Sequence, residues 1–204
     1  MADIVKEALE AFDIAREAER DNRDLAKDDI EFARLGKQWP DAQRLEREQS
    51  GRPCLTINKL QPIIRQVVND SRQNRPSIKV NPADSGSDPE TAEVLGGIVR
   101  NIEVRSNADV AYDTAIDSAV SGGFGYWAIN TDYALNAMSE ADILAAGAGA
   151  FEQDIFIRRI ANPFSVYGDP HSTAADSSDW LQAHIVEMLT QDQFKKKKKI
   201  DDSR

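Results

Sequence analysis

Residues 107–133 read NADVAYDTAIDSAVSGGFGYWAINTDY, and this stretch decides the fold class. Its first half places Ala111, Tyr112, Ala115, Ile116, Ala119 and Val120 on one inward face of a helix that begins at Asn107 or Asp109. Gly122-Gly123 stops that helix, because glycine takes up the left-handed backbone of a helix end without a steric penalty. From Phe124 the chain reads as a strand. Phe124, Tyr126 and Ala128 lie on one face and Trp127 and Ile129 on the other. Apolar residues on both faces predict an internal strand with neighbours on both sides.

Working outward, Asp88 caps and Pro89 opens the preceding helix, with Leu95, Ile98, Val99 and Ile102 as its buried face. Before it, CLTIN (54–58) is extended and Asn58 is an N-cap. Leu60, Ile63, Ile64, Val67 and Val68 then mark one face of a helix ending near Asn74. SIKVNP (77–82) reads as a short strand with Ile78 and Val80 on one side. The first 48 or so residues read as helix with a narrow apolar stripe (Ile4, Ala8, Leu9, Phe12, Ala15, then Leu25, Ile30, Ala33, Leu35), broken or restarted at Pro40 and ended by Gly51 and Pro53. Such a stripe predicts packing on a neighbouring element or another subunit.

On the C-terminal side, residues 134–150 are Ala-rich, with capping-box spacing at Ser139 and Asp142, and read as a hairpin tip. DIFIRRI, NPFSVYGDP and AHIVEML supply further strands, and Thr190 with Gln193 caps a last helix. Helices and strands mix without regular βαβ alternation, so the class is α+β.

The 204 residues carry a formal net charge of -10, which argues against nonspecific nucleic-acid binding. Cys54 is the one cysteine; no intramolecular disulfide or cysteine metal site follows, and a small buried thiol is the favoured reading. The N-terminus has the charge pattern of no signal peptide, and no apolar run is long enough for a membrane span.

The glycine cluster at 122–125 runs from helix into strand with no following lysine, so helix stop and close packing are favoured over phosphate binding. His171, His184 and Asp169 could form a metal or hydrolytic site, but too few ligands converge and no nucleophile elbow is present. Asp109, Asp113 and Asp117 share one helical face; a solvated acidic ridge, able to meet a neighbour's basic residues, is favoured over a cation site. Arg65 and Arg72 share a helix face, and with Arg75 they either bridge to another subunit or are solvated.

Three blocks carry a resemblance. GRPCLTINKLQPIIRQVVNDSRQNRPSIKVNP, with Arg72-Gln73-Asn74-Arg75-Pro76, follows a charged helix bearing Asp21, Arg23, Asp24, Phe32 and Trp39. GGFGYWAINTDY and RRIANPFSVYGDPHSTAADSSDW come next, in order and at matching spacing. Together they resemble podovirus-type tailed-phage portal proteins, over roughly residues 15–195. The resemblance implies a subunit of a homododecameric ring at a capsid vertex, in the virion, assembled in the host cytoplasm. DNA is packaged and ejected through its channel without sequence-specific binding. The implied partners are copies of itself, coat and scaffolding proteins, and terminase and tail adaptor through regions absent here. It implies no catalytic residue, cofactor, metal or membrane.

The expected organisation is an N-terminal helical extension (1–50), an α+β portal wing-like domain (51–190) and a Lys-rich tail (191–204). Arg65, Arg72, Arg75, Arg158 and Arg159 against Asp109, Asp113 and Asp117 are the expected subunit contacts. Gly168 stands where the family has an aromatic residue, which predicts a looser strand end. The tail FKKKKKIDDSR suggests an A-rich tract, and Ile200–Arg204 read as out-of-frame residues ending a truncated N-terminal fragment. The lysine run itself reads as a solvated tail. Two alternatives stand beside this reading: a stand-alone interaction module pairing through its N-terminal helix, and a small hydrolase using His171 or His184.

Overall fold

The computed structural model describes residues 2–75, 77–82, 88–133, 153–174 and 177–195. In chain order the helices are α1 (Ala2–Ala18), α2 (Arg20–Arg34), α3 (Asp41–Gln49), α4 (Leu60–Gln73), α5 (Pro89–Arg105) and α6 (Ala108–Gly122). Strands β1 (Trp127–Tyr133) and β2 (Gln153–Arg159), a 3-10 turn at Pro163–Ser165, and strands β3 (Val166–Tyr167) and β4 (His184–Ile185) follow. The class is α+β, with helix predominating. The stretch expected as one helical extension is divided. Glu19 alone separates α1 from α2, and Gly36, at φ +70°, and Pro40 separate α2 from α3.

The chain forms two units, Leu25–Pro163 and a second drawn from Met1–Asp24 and Phe164–Arg204. The first is centred on α6. Ala108 and Ala111, each 1% exposed, present so little side chain that β2 can lie close and bury Ile157, with Ile102 and Tyr112 completing the cluster. Ser106, ahead of α6, accepts a 2.9 Å hydrogen bond at its Oγ from the Ile157 amide. The Tyr112 ring meets Trp127 edge to face at 5.3 Å.

Local chemistry sets the helix ends. Asp88 accepts hydrogen bonds from the Glu90 and Thr91 amides at 3.1 and 3.3 Å, with Pro89 in the first turn of α5. Asn58 Oδ1 accepts from the Leu60 and Gln61 amides, while its Nδ2 donates to the Ala33 carbonyl and so ties the start of α4 to the end of α2. Gly123, at φ +86°, ends α6. At Gly125 the chain passes so close to α6 that a Cβ would stand 1.9 Å from the Ala115 carbonyl oxygen. The glycine cluster is therefore a helix stop followed by a main-chain contact.

Two strand expectations are corrected within this unit. Residues 77–82 form no strand, and β1 has a single neighbour among the described residues, the antiparallel β2, with Trp127 opposite Arg159 and Ile129 opposite Ile157. The apolar faces of α4 and α5 are only half used. Val68 is buried, whereas Leu60, Ile63, Val67, Leu95 and Ile98 stay exposed. Periodicity identifies an apolar face but does not supply the element that covers it.

In the second unit β3 and β4 pair antiparallel, with Val166 opposite Ile185 and Tyr167 opposite His184. AHIVEML contributes only His184–Ile185 to a strand. Phe12 of α1 packs edge-on to Tyr167 at 5.0 Å and to His184 at 5.7 Å, over the fully buried Ala15. Gly168 does not loosen the strand end. It is buried, and the Trp180 ring occupies the space its side chain would fill, 2.3 Å from the position of a Cβ. Thr190 and Gln193 form the expected reciprocal cap, the Thr190 amide donating to Gln193 Oε1 at 3.0 Å and the Gln193 amide to Thr190 Oγ1 at 3.4 Å. The expected hairpin tip at 134–150 and the lysine run beyond Lys195 lie outside the described residues.

Candidate functional site

Five of the eight charged residues singled out from the sequence, Arg72, Arg75, Asp109, Asp113 and Asp117, converge on α6. Asp109, Asp113 and Asp117 lie one turn apart, and each carboxylate faces a guanidinium of the same chain. Arg72 Nε stands 3.0 Å from Asp113 Oδ2, and Arg75 Nη2 2.5 Å from Asp113 Oδ1. Arg75 also pairs with Asp109. Arg34 Nη2 reaches Asp117 Oδ2 at 2.6 Å and Ser121 Oγ at 2.7 Å. Three elements are thereby joined: the end of α2, the end of α4 with Arg75 just beyond it, and α6. Exposed pairs of this kind contribute on the order of 0–1 kcal/mol each. Asp113, the most sheltered of the three, is shared by two arginines, Arg72 within α4 and Arg75 just beyond it. With a cation already at each carboxylate, the ridge is suited to rigid support and poorly suited to a divalent ion.

Arg34 was not among the residues singled out. Nothing in its spacing relates it to Asp117, 83 positions away. The remaining candidates face outward. Arg65 lines a shallow polar groove with Arg34, Gln61, Asn69 and Arg72, and makes no ion pair among the described residues. Gln61 Oε1, on the same groove, is buried without a hydrogen-bond partner. Arg158 and Arg159 are exposed on β2, opposite Ala128 and Trp127 of β1.

The histidines do not assemble a reactive centre with Asp169. Both Asp169 oxygens are occupied, Oδ1 by the His171 amide at 2.9 Å and Oδ2 by the Leu181 amide at 3.2 Å. Those two donors, His171 first, hold its carboxyl below the usual carboxylate range. His184 instead packs against the Phe12 ring. Among the described residues no group of three or more His, Cys, Asp or Glu is placed to hold a metal. Cys54, expected to be buried, is half-buried.

Two anchors of the second unit carried no assigned role in the sequence. Arg23 is 6% exposed. Its Nε donates to Glu19 Oε2 at 2.8 Å, Nη1 to the Phe164 carbonyl at 2.8 Å and Nη2 to the Val166 carbonyl, with the Tyr167 ring 3.7 Å from its Cζ. Glu19 Oε1 accepts from the Gly168 amide at 2.8 Å. Asp179 gathers the Ser172 hydroxyl at 2.7 Å and the Thr173 and Ala174 amides at 2.6 and 3.0 Å, and its carboxyl falls to about 2, the Ser172 hydrogen bond being the largest cause. A resident cation and an Asp-rich turn are visible in a sequence, but their partners are not. The site is thus a set of braced surfaces, without a cleft of converging reactive groups among the described residues.

Comparison with known proteins relates the chain to phage portal proteins. The family model described as phage P22-like portal protein matches residues 9–203. A portal protein of Acyrthosiphon pisum secondary endosymbiont phage 1 is 26% identical over 196 residues, covering 93% of this chain. The chain spans 26% of the length of that relative.

Proposed function

The chain belongs to the phage P22-like portal protein family, and from that premise we propose that it is a structural subunit of the portal at a capsid vertex through which DNA is packaged and ejected. The observation that carries this reading is the family match over residues 9–203. The geometry supports it, since the charged groups brace helices and hold a turn in place of reacting atoms. No helix among the described residues is long and apolar enough to cross a membrane.

In this reading the subunit works in the virion with copies of itself and with coat and scaffolding proteins, while terminase and tail adaptor are met through portal regions outside this chain. DNA passes the channel it helps to form without being read. The eight charged residues divide the contact role. Arg72, Arg75, Asp109, Asp113 and Asp117 fix the surface. Arg65, Arg158 and Arg159 present charge to the adjoining copy in a head-to-tail contact.

The test is gold labelling of an epitope-tagged chain on particles of the phage that encodes it, with the double variant Arg65→Glu, Arg159→Glu beside the parent. The parent should mark one vertex per particle, and the double variant should be incorporated less. Parent particles labelled over the whole shell, or not at all, rule out the portal role. Equal incorporation of the double variant rules out the arginine contact alone.

A further inference from the structure

A groove on the first unit combines an excess of cations with a buried acceptor that has no donor. It follows one face of α4, where Gln61, Arg65, Asn69 and Arg72 recur at i, i+4, i+8 and i+11. Arg34 of α2 and Asp117 of α6 line it as well, and its volume is about 520 Å³. Arg34 is engaged with Asp117 at 2.6 Å, and Arg72 holds Asp113 through Nε at 3.0 Å. Arg65 has neither ion pair nor hydrogen bond among the described residues. Gln61 Oε1 is buried and accepts no hydrogen bond there.

We propose that this groove receives an extended acidic segment of the adjoining copy, with a carboxylate against Arg65 and the terminal nitrogens of Arg72, and a main-chain N–H donating to Gln61 Oε1. This rests on the portal reading, in which Arg65 faces the adjoining copy, and it names the chemistry that Arg65 meets there.

Three features select such a segment. The first is charge. Arg34, Arg65 and Arg72 outnumber Asp117 in the groove, whereas the chain as a whole carries 35 acidic residues against 25 Lys and Arg, so a second copy offers carboxylates in surplus. The second is the unpaired acceptor. A buried acceptor without a donor costs free energy. A peptide segment supplies both complements together, carboxylate oxygens for the arginines and an N–H for Gln61. A phosphodiester offers acceptors alone and would set its oxygens against Gln61 Oε1 and the Asp117 carboxylate. The third is length. From Gln61 to Arg72 the face of α4 is about 16 Å long, at roughly 1.5 Å per residue. An extended peptide of about five residues spans it, at roughly 3.3 Å each, and a lone inorganic ion does not. A groove on one copy and a segment elsewhere on the other make a heterologous contact, the type that closes into a ring.

Two measurements test this. In the first, the isotope-labelled 204-residue chain is titrated with a capped Glu-Gly-Glu-Gly-Glu peptide and followed by NMR at the arginine Nε–H groups and the α4 amides. It should bind that peptide about tenfold more tightly than the Gln-Gly-Gln-Gly-Gln counterpart or a thymidylate tetramer of the same charge. Arg65→Gln and Gln61→Leu should each lose about tenfold in affinity, and Arg100→Gln, on α5, should lose nothing. Circular dichroism checks that each variant keeps the parent's helix content. Absence of saturable binding, equal affinity for the neutral peptide or the oligonucleotide, or an Arg65→Gln variant that binds as the parent does overturns the proposal. In the second, a photo-cross-linking amino acid stands in place of Asn69 in the tagged chain on phage particles. The adduct should map to an acidic segment of a second copy, and an adduct on a coat or scaffolding protein overturns the proposal. Particles labelled at one vertex that fail either measurement would remove the groove contact and leave the portal reading in place. Particles without a labelled vertex remove that reading, and the proposal with it.

Discussion

Replacing Gly125 by alanine probes how closely β1 is led past α6. A Cβ there would stand 1.9 Å from the Ala115 carbonyl oxygen, 2.7 Å from its carbon and 3.0 Å from its Cα. Nonbonded carbon atoms settle near 3.5 Å, so the two stretches must part by roughly 1.5 Å. Every atom met is main chain, and no rotamer change relieves the clash. Overpacking that side chains can absorb costs about 1–3 kcal/mol. With only backbone to yield, Gly125→Ala belongs at the upper end, near 3 kcal/mol. At roughly 2–4 °C per kcal/mol for a chain of this size, Tm should fall by about 6–12 °C. Gly97→Ala is the matched control. Gly97 lies inside α5 with nothing within 4 Å of where its Cβ would be. There alanine removes a helix penalty of about 1 kcal/mol, and Tm should rise by roughly 2–4 °C. Thermal and urea unfolding followed by circular dichroism measure both. A Gly125→Ala protein that melts with the parent, or two alanines that shift Tm the same way, would show that this packing argument is wrong.

Other perturbations separate the remaining braces. Arg23→Met leaves Glu19 and the Phe164 and Val166 carbonyls without their buried donor, a loss of about 3–5 kcal/mol, and hydrogen exchange at residues 164–168 should rise sharply; Arg23→Lys should restore little, because an ammonium cannot reproduce the planar fork. Unchanged exchange in both variants would remove Arg23 from this role. For Asp179, the folded-state carboxyl lies below its unfolded value, so its contribution to holding residues 172–174 is complete above pH of about 4 and is lost as pH falls through about 2. Carbon-detected NMR should place its midpoint at about 2, and a midpoint near 4 would mean that the Ser172, Thr173 and Ala174 donors are not engaged.

The correction at Gly168 shows how far sequence reasoning reached in the second unit. The ring of Trp180 fills the space beside Gly168, and spacing does not show this, because the two residues meet only after the turn has closed. The correction at β1 is of another kind. The strand begins at Trp127, which leaves Phe124 and Tyr126 outside it, and an apolar pattern reports what a strand could bury without supplying the cover. The same holds for Leu60, Ile63 and Val67 on α4, which keep the expected period and stay exposed.

What the sequence determined by itself is the set of local decisions, together with the family. Asp88 with Pro89, the capping oxygen of Asn58, Gly123 and the Thr190–Gln193 pair act within a few residues of where they stand, so backbone geometry fixes those partners, whereas the Asn58 amide also reaches Ala33. The tertiary structure decided which distant charges meet. Asp113 received Arg72 and Arg75, Asp117 received Arg34, and Arg23 was buried against carbonyls more than 140 positions away. A charge has no directional preference written into its neighbours, and any of twenty-five cations could serve any carboxylate until helix packing brings two of them within reach.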